Sequence, residues 1–378
     1  MSKINDLINE FCPDGVKTKE LRELVNYIQP TKYIVKTTKY SSEYKIPVLT
    51  ANKSFILGYS NENEGIYFAS KDSPIILFDD FTCSFRWIDF PFKVKSSACK
   101  ILIPFDKHKV NFRFIYFLMY TIKMENVNHT RNWINKVSKI SVPIPPLEIQ
   151  EKIVQILDTF TEMETEMETE MEKRIKQYEF YRNKLFHFDG KDVEKCKLSN
   201  VVKINGFKQV SAEELQKLIV DNGDIPLLPS SQNYNWFTTK EVAGNNICTG
   251  NVITLGRARY PNIKYCIGEF VSANNVIISI IDETKILFKF LYYFIDNMKF
   301  DFYIETASYP KFDIDIFLNT LIPIPPLEIQ EKIVQILDKF SGLVSNFNEG
   351  IPKEIELRHK QYEYYRNKLL TFKVKNNE

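Results

Sequence analysis

Two short cationic triplets stand out for the chemistry they permit. Lys93 and Lys95 flank Val94, and Arg257 and Arg259 flank Ala258. On an extended strand, residues two apart share a face, so each triplet aims two cations one way and a small apolar side chain toward a core. Arginine is the usual bidentate reader of guanine in the major groove, and lysine is a good contact for phosphate. Lys53, Ser54, Lys71, Lys240, Tyr260 and Lys264 fall in segments read as loops and extend the same candidate DNA-contact set. A merely solvated strand face would carry the same residues, so the triplets alone do not decide between the two readings.

Catalytic chemistry is not suggested by any comparable pattern. Neither a Gly-x-Gly-x-x-Gly nor a Gly-x-x-x-x-Gly-Lys loop occurs, and the Asn-Pro-Pro-aromatic motif of amino-methyltransferases is missing. His108, His129, His187 and His359 lie at no metal-ligand spacing, and the six cysteines form no Cys-x-x-Cys pair. The expectation is therefore no metal, no cofactor and free thiols in a reducing cytoplasm. Asp14, Glu43 and Lys45 can be drawn as a nuclease triad, but such combinations arise readily by chance. Met1–Glu10 shows no signal-peptide pattern, and no apolar run reaches the roughly 18–20 residues of a membrane span.

The net charge of +2 conceals a division. Glu148 to Glu172 holds nine acids and one base, a net of −8, so the remainder carries +10. Gln29 to Lys123 holds fourteen Lys/Arg against eight Asp/Glu. An acidic element thus separates basic ones that suit a polyanion.

The elements that must position these residues come from a duplication. Pro143–Asp158 and Pro323–Asp338 share sixteen identical residues, PIPPLEIQEKIVQILD, displaced by 180. Gln177–Leu185 (QYEFYRNKL) returns as Gln361–Leu369 (QYEYYRNKL), displaced by 184. Fainter echoes are Ile46-Pro47-Val48-Leu49 with Ile225-Pro226-Leu227-Leu228, and the aromatic runs Phe112–Met119 and Phe288–Ile295. Proline before Leu-Glu favours a helix start. Ile149, Ile153, Ile156, Phe160 and Met163 alternate steps of four and three, a coiled-coil seam, which predicts a helix from about Leu147 to Phe186. Met163, Met167 and Met171 then follow at steps of four inside a Thr-Glu-Met-Glu repeat, a pattern read as a core stripe. In the second copy, Ser341-Gly342 and Asn348–Pro352 predict an interruption, with Pro352 restarting the helix. Two matching seams in one chain most simply pack on each other, and antiparallel packing would give a pseudo-twofold axis.

Between the helices, short runs (Ile75–Phe78, Phe90–Val94, Ala98–Ile103, Val252–Leu255, Val276–Ile280) read as strands, and Val110–Lys123 and Lys285–Met298 as amphipathic helices. The expected class is α/β: two tandem α/β domains, 1–142 and 189–322, and two long helical segments, 143–188 and 323–378, forming an antiparallel coiled coil.

The Pro-x-Pro-Pro-Leu-Glu-Ile-Gln start, the long helix and the Gln-Tyr-Glu-Tyr-Tyr-Arg-x-Lys-Leu ending resemble segments of type I restriction–modification specificity subunits, in the same duplicated layout. Ile46–Thr50, Phe78–Phe81, Phe92–Ser97 and Gly250–Arg257 look like stretches of that family's target-recognition domains. The resemblance implies a non-catalytic subunit that binds double-stranded DNA, each variable domain reading one half of a bipartite site. It implies that the helices set the spacing and dock two methyltransferase subunits, through which restriction subunits would join. Tyr181, Arg182, Tyr365 and Arg366 are then candidate partner contacts, and with Tyr178 and Tyr362 they are also candidates for coiled-coil packing, packing being favoured for the tyrosines and partner contact for the arginines. The alternative from another class is a coiled-coil adaptor with two protein-binding heads, which explains the seam and duplication but not the basic heads.

Overall fold

A computed structural model describes residues 6, 8, 10–50, 55–106, 108–123, 131–188, 193–232, 235–257, 261–306, 309–344 and 351–375. The chain divides into two compact units, Met1–Met167 with Ile355–Glu378, and Glu168–Glu354. Five helices of eight residues or more lie among the described residues: α1 (Phe112–Met119), α2 (Leu147–Leu185), α3 (Phe288–Asn297), α4 (Leu327–Val344) and α5 (Ile351–Leu369). The expected long helix is present as α2, which ends one residue before Phe186. None of the helices is long and apolar enough to cross a membrane among the described residues.

The first unit carries a four-stranded antiparallel sheet in the order Val25–Ile28, Cys99–Pro104, Ile75–Asp79, Phe85–Ile88. A second sheet of three strands places Ile46–Leu49 between Ile56–Ser60 and Lys93–Val94, the last pair being parallel. α1 covers the four-stranded sheet through Phe114, Phe117 and Leu118, which share a core with Ile76, Phe78 and Leu102. Asn111 caps α1 with a side-chain oxygen that accepts from the N–H groups of Arg113 and Phe114, so the helix starts where a polar cap precedes an apolar run. The first stretch of α2 enters the same core through Ile149, Ile153 and Leu157, joined by Tyr362 and Leu369 of α5.

The second unit holds one six-stranded sheet, ordered Val202–Ile204, Asn275–Ile280, Cys248–Gly256, Ile263–Ala273, Ile225–Pro229, Phe237–Thr238. Only the pairing of Ile225–Pro229 with Ile263–Ala273 is parallel. α3 packs on it through Phe290, Leu291 and Phe294, and α4 joins through Ile333 and Leu337. The eleven-residue strand Ile263–Ala273 had no clear sequence signal, because Gly268 (φ +100°) and Glu269 interrupt its apolar pattern.

Within the first unit the helix pairing is antiparallel. Phe160 of α2 stacks on Tyr365 (centroids 5.4 Å apart) and lies 6.4 Å from Tyr362, while Glu164, one turn later, meets His359, one turn earlier on α5. In the second unit the reciprocal contact appears: Phe340 of α4 stacks on Tyr181 at 5.9 Å and lies 6.5 Å from Tyr178. Two helical expectations are corrected. Ser341 and Gly342 lie inside α4, which continues to Val344, so the interruption begins later than they suggested; Asn348–Gly350 fall outside the described residues. The methionine stripe is not a buried core, since Met163 is exposed and Met167 and Met171 are half-buried. Steps of four drift around a 3.6-residue helix, so no fixed face collects these residues against a partner.

Candidate nucleic-acid interface

Each unit fixes its variable domain to the repeated helical segment by the same bonds. Gln150 is buried; its Oε1 accepts from the Asn111 backbone N–H at 2.9 Å, and its Nε2 donates to the Pro145 carbonyl at 2.7 Å. Gln330, displaced by 180, accepts from the Leu287 N–H at 2.8 Å and donates to the Pro325 carbonyl at 2.8 Å. Asn111 and Leu287 are the N-cap residues of α1 and α3, so one glutamine in each copy satisfies the backbone where the domain's main helix begins. Within the first turn of that helix, Arg113 pairs with Asp158 at 2.7 Å, and Lys289 pairs with Asp338 at 2.8 Å. A strand pair completes the joint: Thr18–Glu20 with Ser141–Pro143, and Lys195–Lys197 with Leu321–Pro323. These glutamines and aspartates were not singled out as site residues. Their signal was the identity of the sixteen-residue segment itself.

The repeated Tyr-Arg pairs divide on inspection. Tyr178 and Tyr362 are buried in the two cores, and burial pushes both phenols up from their ordinary range. Tyr181 remains exposed and Tyr365 half-buried. The expectation that the arginines face a partner is corrected. Arg182 donates from Nε to Asn297 at 2.8 Å and from Nη1 to Asp296 at 3.0 Å, at the end of α3. Arg366 lies over the rings of Tyr120 (4.9 Å) and Tyr362 (5.3 Å), with its buried Nε unpartnered among the described residues. Both guanidinium groups are spent on the joint between helix and domain.

Two of the candidate DNA contacts point inward. Lys93 is 1% exposed: its Nζ donates to the carbonyls of Glu64 (2.5 Å) and Gly65 (3.1 Å) and pairs with Glu62 at 3.0 Å. Against the upward push of burial, the bonds from Lys93 and from the N–H groups of Thr37 and Lys36 hold the Glu62 carboxyl below its ordinary range. Lys264 is 4% exposed and donates to the carbonyls of Pro229 (2.5 Å) and Ser231 (2.6 Å). Burial pushes its ammonium down to about 7. These two are anchors: a buried ammonium is tolerable only where carbonyls or a carboxylate replace its water. Lys93 and Lys95 therefore do not form the exposed cationic pair expected of them. Lys93 and Val94 are both buried, and only Lys95 is exposed, its Nζ 5.8 Å from the Tyr40 ring.

The other candidates lie at the surface or outside the described residues. Arg257 is exposed, the first residue past the strand Cys248–Gly256, with no hydrogen bond or ion pair from its side chain among the described residues. Lys71 is exposed in the turn closed by Ser70 and Ser73. Lys240 opens the short helical turn Lys240–Ala243 and pairs with Glu269 at 3.0 Å. Lys53, Ser54, Arg259 and Tyr260 lie outside the described residues. Lys264 nonetheless bears on the surface indirectly. With Asn262, whose Nδ2 donates to Ser231 at 2.6 Å, it pins the Pro229–Ser231 segment against the end of the strand that delivers Arg257. Gly256 lets that approach happen, since a Cβ there would lie 2.8 Å from the Ser230 carbonyl oxygen.

Among the described residues no group of three His, Cys, Asp or Glu side chains is placed to hold a metal. Asp14 of the suggested triad pairs with Lys375 at 3.7 Å, and no described contact joins it to Glu43 or Lys45.

The chain matches the family model of the type I restriction modification DNA specificity domain twice, over residues 13–177 and 190–357. It is 37% identical over 390 residues to the type I restriction enzyme EcoR124I/EcoR124II specificity subunit of Escherichia coli, covering 95% of each chain. A putative type I restriction enzyme specificity subunit of Haemophilus influenzae is 30% identical over 389 residues, covering 94% of this chain and 96% of that one. Among solved structures, the S subunit of a type I restriction-modification system from M. genitalium superposes with a TM-score of 0.61 at 14% identity, covering 94% of this chain and 96% of its own. A chain from a type I R-M system solved to explain its assembly and conformational transition gives 0.51 at 13% identity, covering 94% and 97%. At such identities the structural likeness speaks for the fold.

Proposed function

Because this chain belongs to the type I restriction modification DNA specificity family, we propose that it is the DNA-reading subunit of a restriction–modification complex and transfers or cleaves nothing itself. Each unit reads one half of a bipartite duplex site through the exposed loops at the strand ends, with Arg257 the foremost base-reading candidate in the second unit. The helical segments set the unread spacer and dock two modification subunits, one per repeat, with exposed Tyr181 and half-buried Tyr365 on the docking surfaces. Restriction subunits join through the modification subunits, and the assembly works in the cytoplasm.

The observation that carries this reading is the contrast inside the duplication. The bonds that mount each domain, Gln150 and Asp158 against Gln330 and Asp338, are the same, while the strand ends they mount differ in sequence and charge. A mount held fixed under changing heads is what independent readers of two unlike half-sites require. An adaptor with two protein-binding heads accounts for the duplication but gives no reason for the basic first head, where residues 29–123 hold fourteen Lys/Arg against eight Asp/Glu.

The test replaces residues Asp189–Ile322 with the matching domain of a relative, co-expresses the chimera with the modification subunit, and maps methylated motifs by single-molecule sequencing. One half of a bipartite motif should change and the other stay. A change in both halves, or no bipartite motif from the unaltered complex, overturns the proposal.

A further inference from the structure

Outside the identical segments the two domains have diverged, yet exposed cations recur at the displacement of the scaffold, Lys17 with Lys197 and Arg131 with Lys311, and the second pair stands beside a strand tip in each unit. Arg131 and Lys311 stand 180 residues apart, the offset of the sixteen-residue repeat, and both are exposed. The residue after each makes the same long-range backbone bond. The Asn132 N–H donates to the Asp80 carbonyl at 2.9 Å, and the Phe312 N–H donates to the Arg257 carbonyl at 3.2 Å. Asp80 and Arg257 are themselves equivalent, each the first residue beyond a central strand, Ile75–Asp79 or Cys248–Gly256. In both units a cation is therefore set beside the tip where that strand ends.

Among the described residues neither charge is neutralised by a carboxylate. The Arg131 side chain has no hydrogen bond, ion pair or ring contact among the described residues, and the only described neighbour of the Lys311 ammonium is the Tyr309 ring, 5.8 Å away. Their supports are firm. Asn132 and Trp133 are buried, Asn132 Nδ2 donating to the Asp80 carbonyl at 3.1 Å, and Phe312 packs on Phe317 and Tyr303. The neighbouring tip residue has meanwhile changed, from Asp80, buried against Lys100 at 3.4 Å, to the exposed Arg257. An exposed cation kept in both units, beside a tip residue that is buried in one and exposed in the other, suits a ligand group that does not vary between half-sites. In duplex DNA that group is the phosphate, since base edges vary and the backbone does not.

We propose that Arg131 and Lys311 are paired phosphate clasps, one per unit, that grip the DNA backbone beside each strand tip and fix the register in which the variable residues meet the bases. The inference rests on the DNA-reading function above and adds to it a pair of sequence-independent positioning contacts.

The experiment uses the complex of the full chain with its modification subunits. Dissociation constants of R131A, K311A, the double variant and R131K are measured against salt, on the cognate duplex and on one of unrelated sequence. Each alanine variant should flatten the slope of log K against log salt by about 0.9, and the double variant by about twice that. Affinity for both duplexes should fall by the same factor, R131K should keep the slope, and methylome mapping should return the unaltered motif. Thermal midpoints should not move, because both side chains are exposed. An unchanged slope in the double variant overturns the clasps while leaving the DNA-reading function intact. A base change in one half-site overturns them too, making that residue a reader. An unaltered complex that binds no duplex at all overturns both proposals together.

Discussion

In the second unit one strand, Ile263–Ala273, runs eleven residues from the strand tip to the parallel pairing with Ile225–Pro229. The first unit covers the equivalent course with two pieces, Phe85–Ile88 and Lys93–Val94, which belong to different sheets. Pro91 lies between them, and a proline cannot donate to a ladder, so the strand breaks there. One domain plan thus becomes a six-stranded sheet in one copy and a four-plus-three arrangement in the other. Both copies bury lysines, but at different places: Lys93 and Lys100 in the first unit, Lys264 in the second. Lys264 pins a loop beside the tip by two carbonyls, and Lys93 pins the Glu62–Gly65 segment. The joints to the helices vary less. The lesson is that the mount keeps its glutamine and aspartate bonds in both copies, whereas the head needs only to bury its apolar faces and satisfy whatever polar atoms result.

That contrast is open to attack at four strengths. The largest effect should come from the mount. Gln150→Leu strands the Asn111 N–H and the Pro145 carbonyl, and Gln330→Leu strands the Leu287 N–H and the carbonyls of Pro325 and Lys285, at a cost of about 1–3 kcal/mol per group. Urea denaturation followed by far-UV dichroism should show each variant losing several kcal/mol from its own unit, Gln330→Leu at least as much as Gln150→Leu. A negligible loss in either copy would break the claim that both mounts rest on this glutamine.

Next in size is the pair Arg182 and Arg366, where the copies do differ. Arg182→Met leaves Asp296 with Lys299 as its remaining ion-pair partner, at 2.9 Å, and should cost about 2–3 kcal/mol. Arg366→Met removes a group whose buried Nε is already unpartnered, so its cost should be about 1 kcal/mol or less. The same titration measures both, and a larger loss at 366 would reverse the assignment of the satisfied copy.

A smaller, pH-dependent effect belongs to Lys264. Its ammonium is pushed down from 10.5 to about 7, so between those values the unfolded chain binds a proton that the folded chain has released. Stability should therefore rise with pH across that window and be least below it, by at most about 1.4 kcal/mol per pH unit. The stability of the wild type relative to Lys264→Met should rise in melting curves taken from pH 6 to 10. A constant gap would mean that the Pro229 and Ser231 carbonyls keep the ammonium charged.

The smallest effect on stability, and a distinct effect on function, should follow deletion of Thr165–Glu168. The methionines around it are exposed or half-buried, so removing one Thr-Glu-Met-Glu unit forfeits little packing. It shortens α2 by about 6 Å at 1.5 Å per residue, which corresponds to up to roughly two base pairs of spacer. Motif mapping of the co-expressed complex should return both half-sites with a shorter gap. An unchanged gap from a folded, active complex would show that this helix is not the ruler.

The sequence alone determined the duplication, the span of α2, the two amphipathic helices of the domains and the α/β class. Each of these rests on local periodicity or on identity at a fixed offset, which neighbouring residues carry between them. It also held, unread, the kept cations Arg131 and Lys311, because an offset of 180 is visible before any fold is known. Only the tertiary structure decided which cations face water. Period-two alternation around Val94 places Lys93 and Lys95 on one face, but the Glu62–Gly65 segment, some 28 to 31 residues away, covers Lys93 and replaces its water. The carbonyls that bury Lys264 come from 33 and 35 residues away, and the Asp296 that claims Arg182 from 114. A charged side chain is buried when distant backbone or carboxylate groups take over its solvation, and no local pattern records which distant groups will arrive.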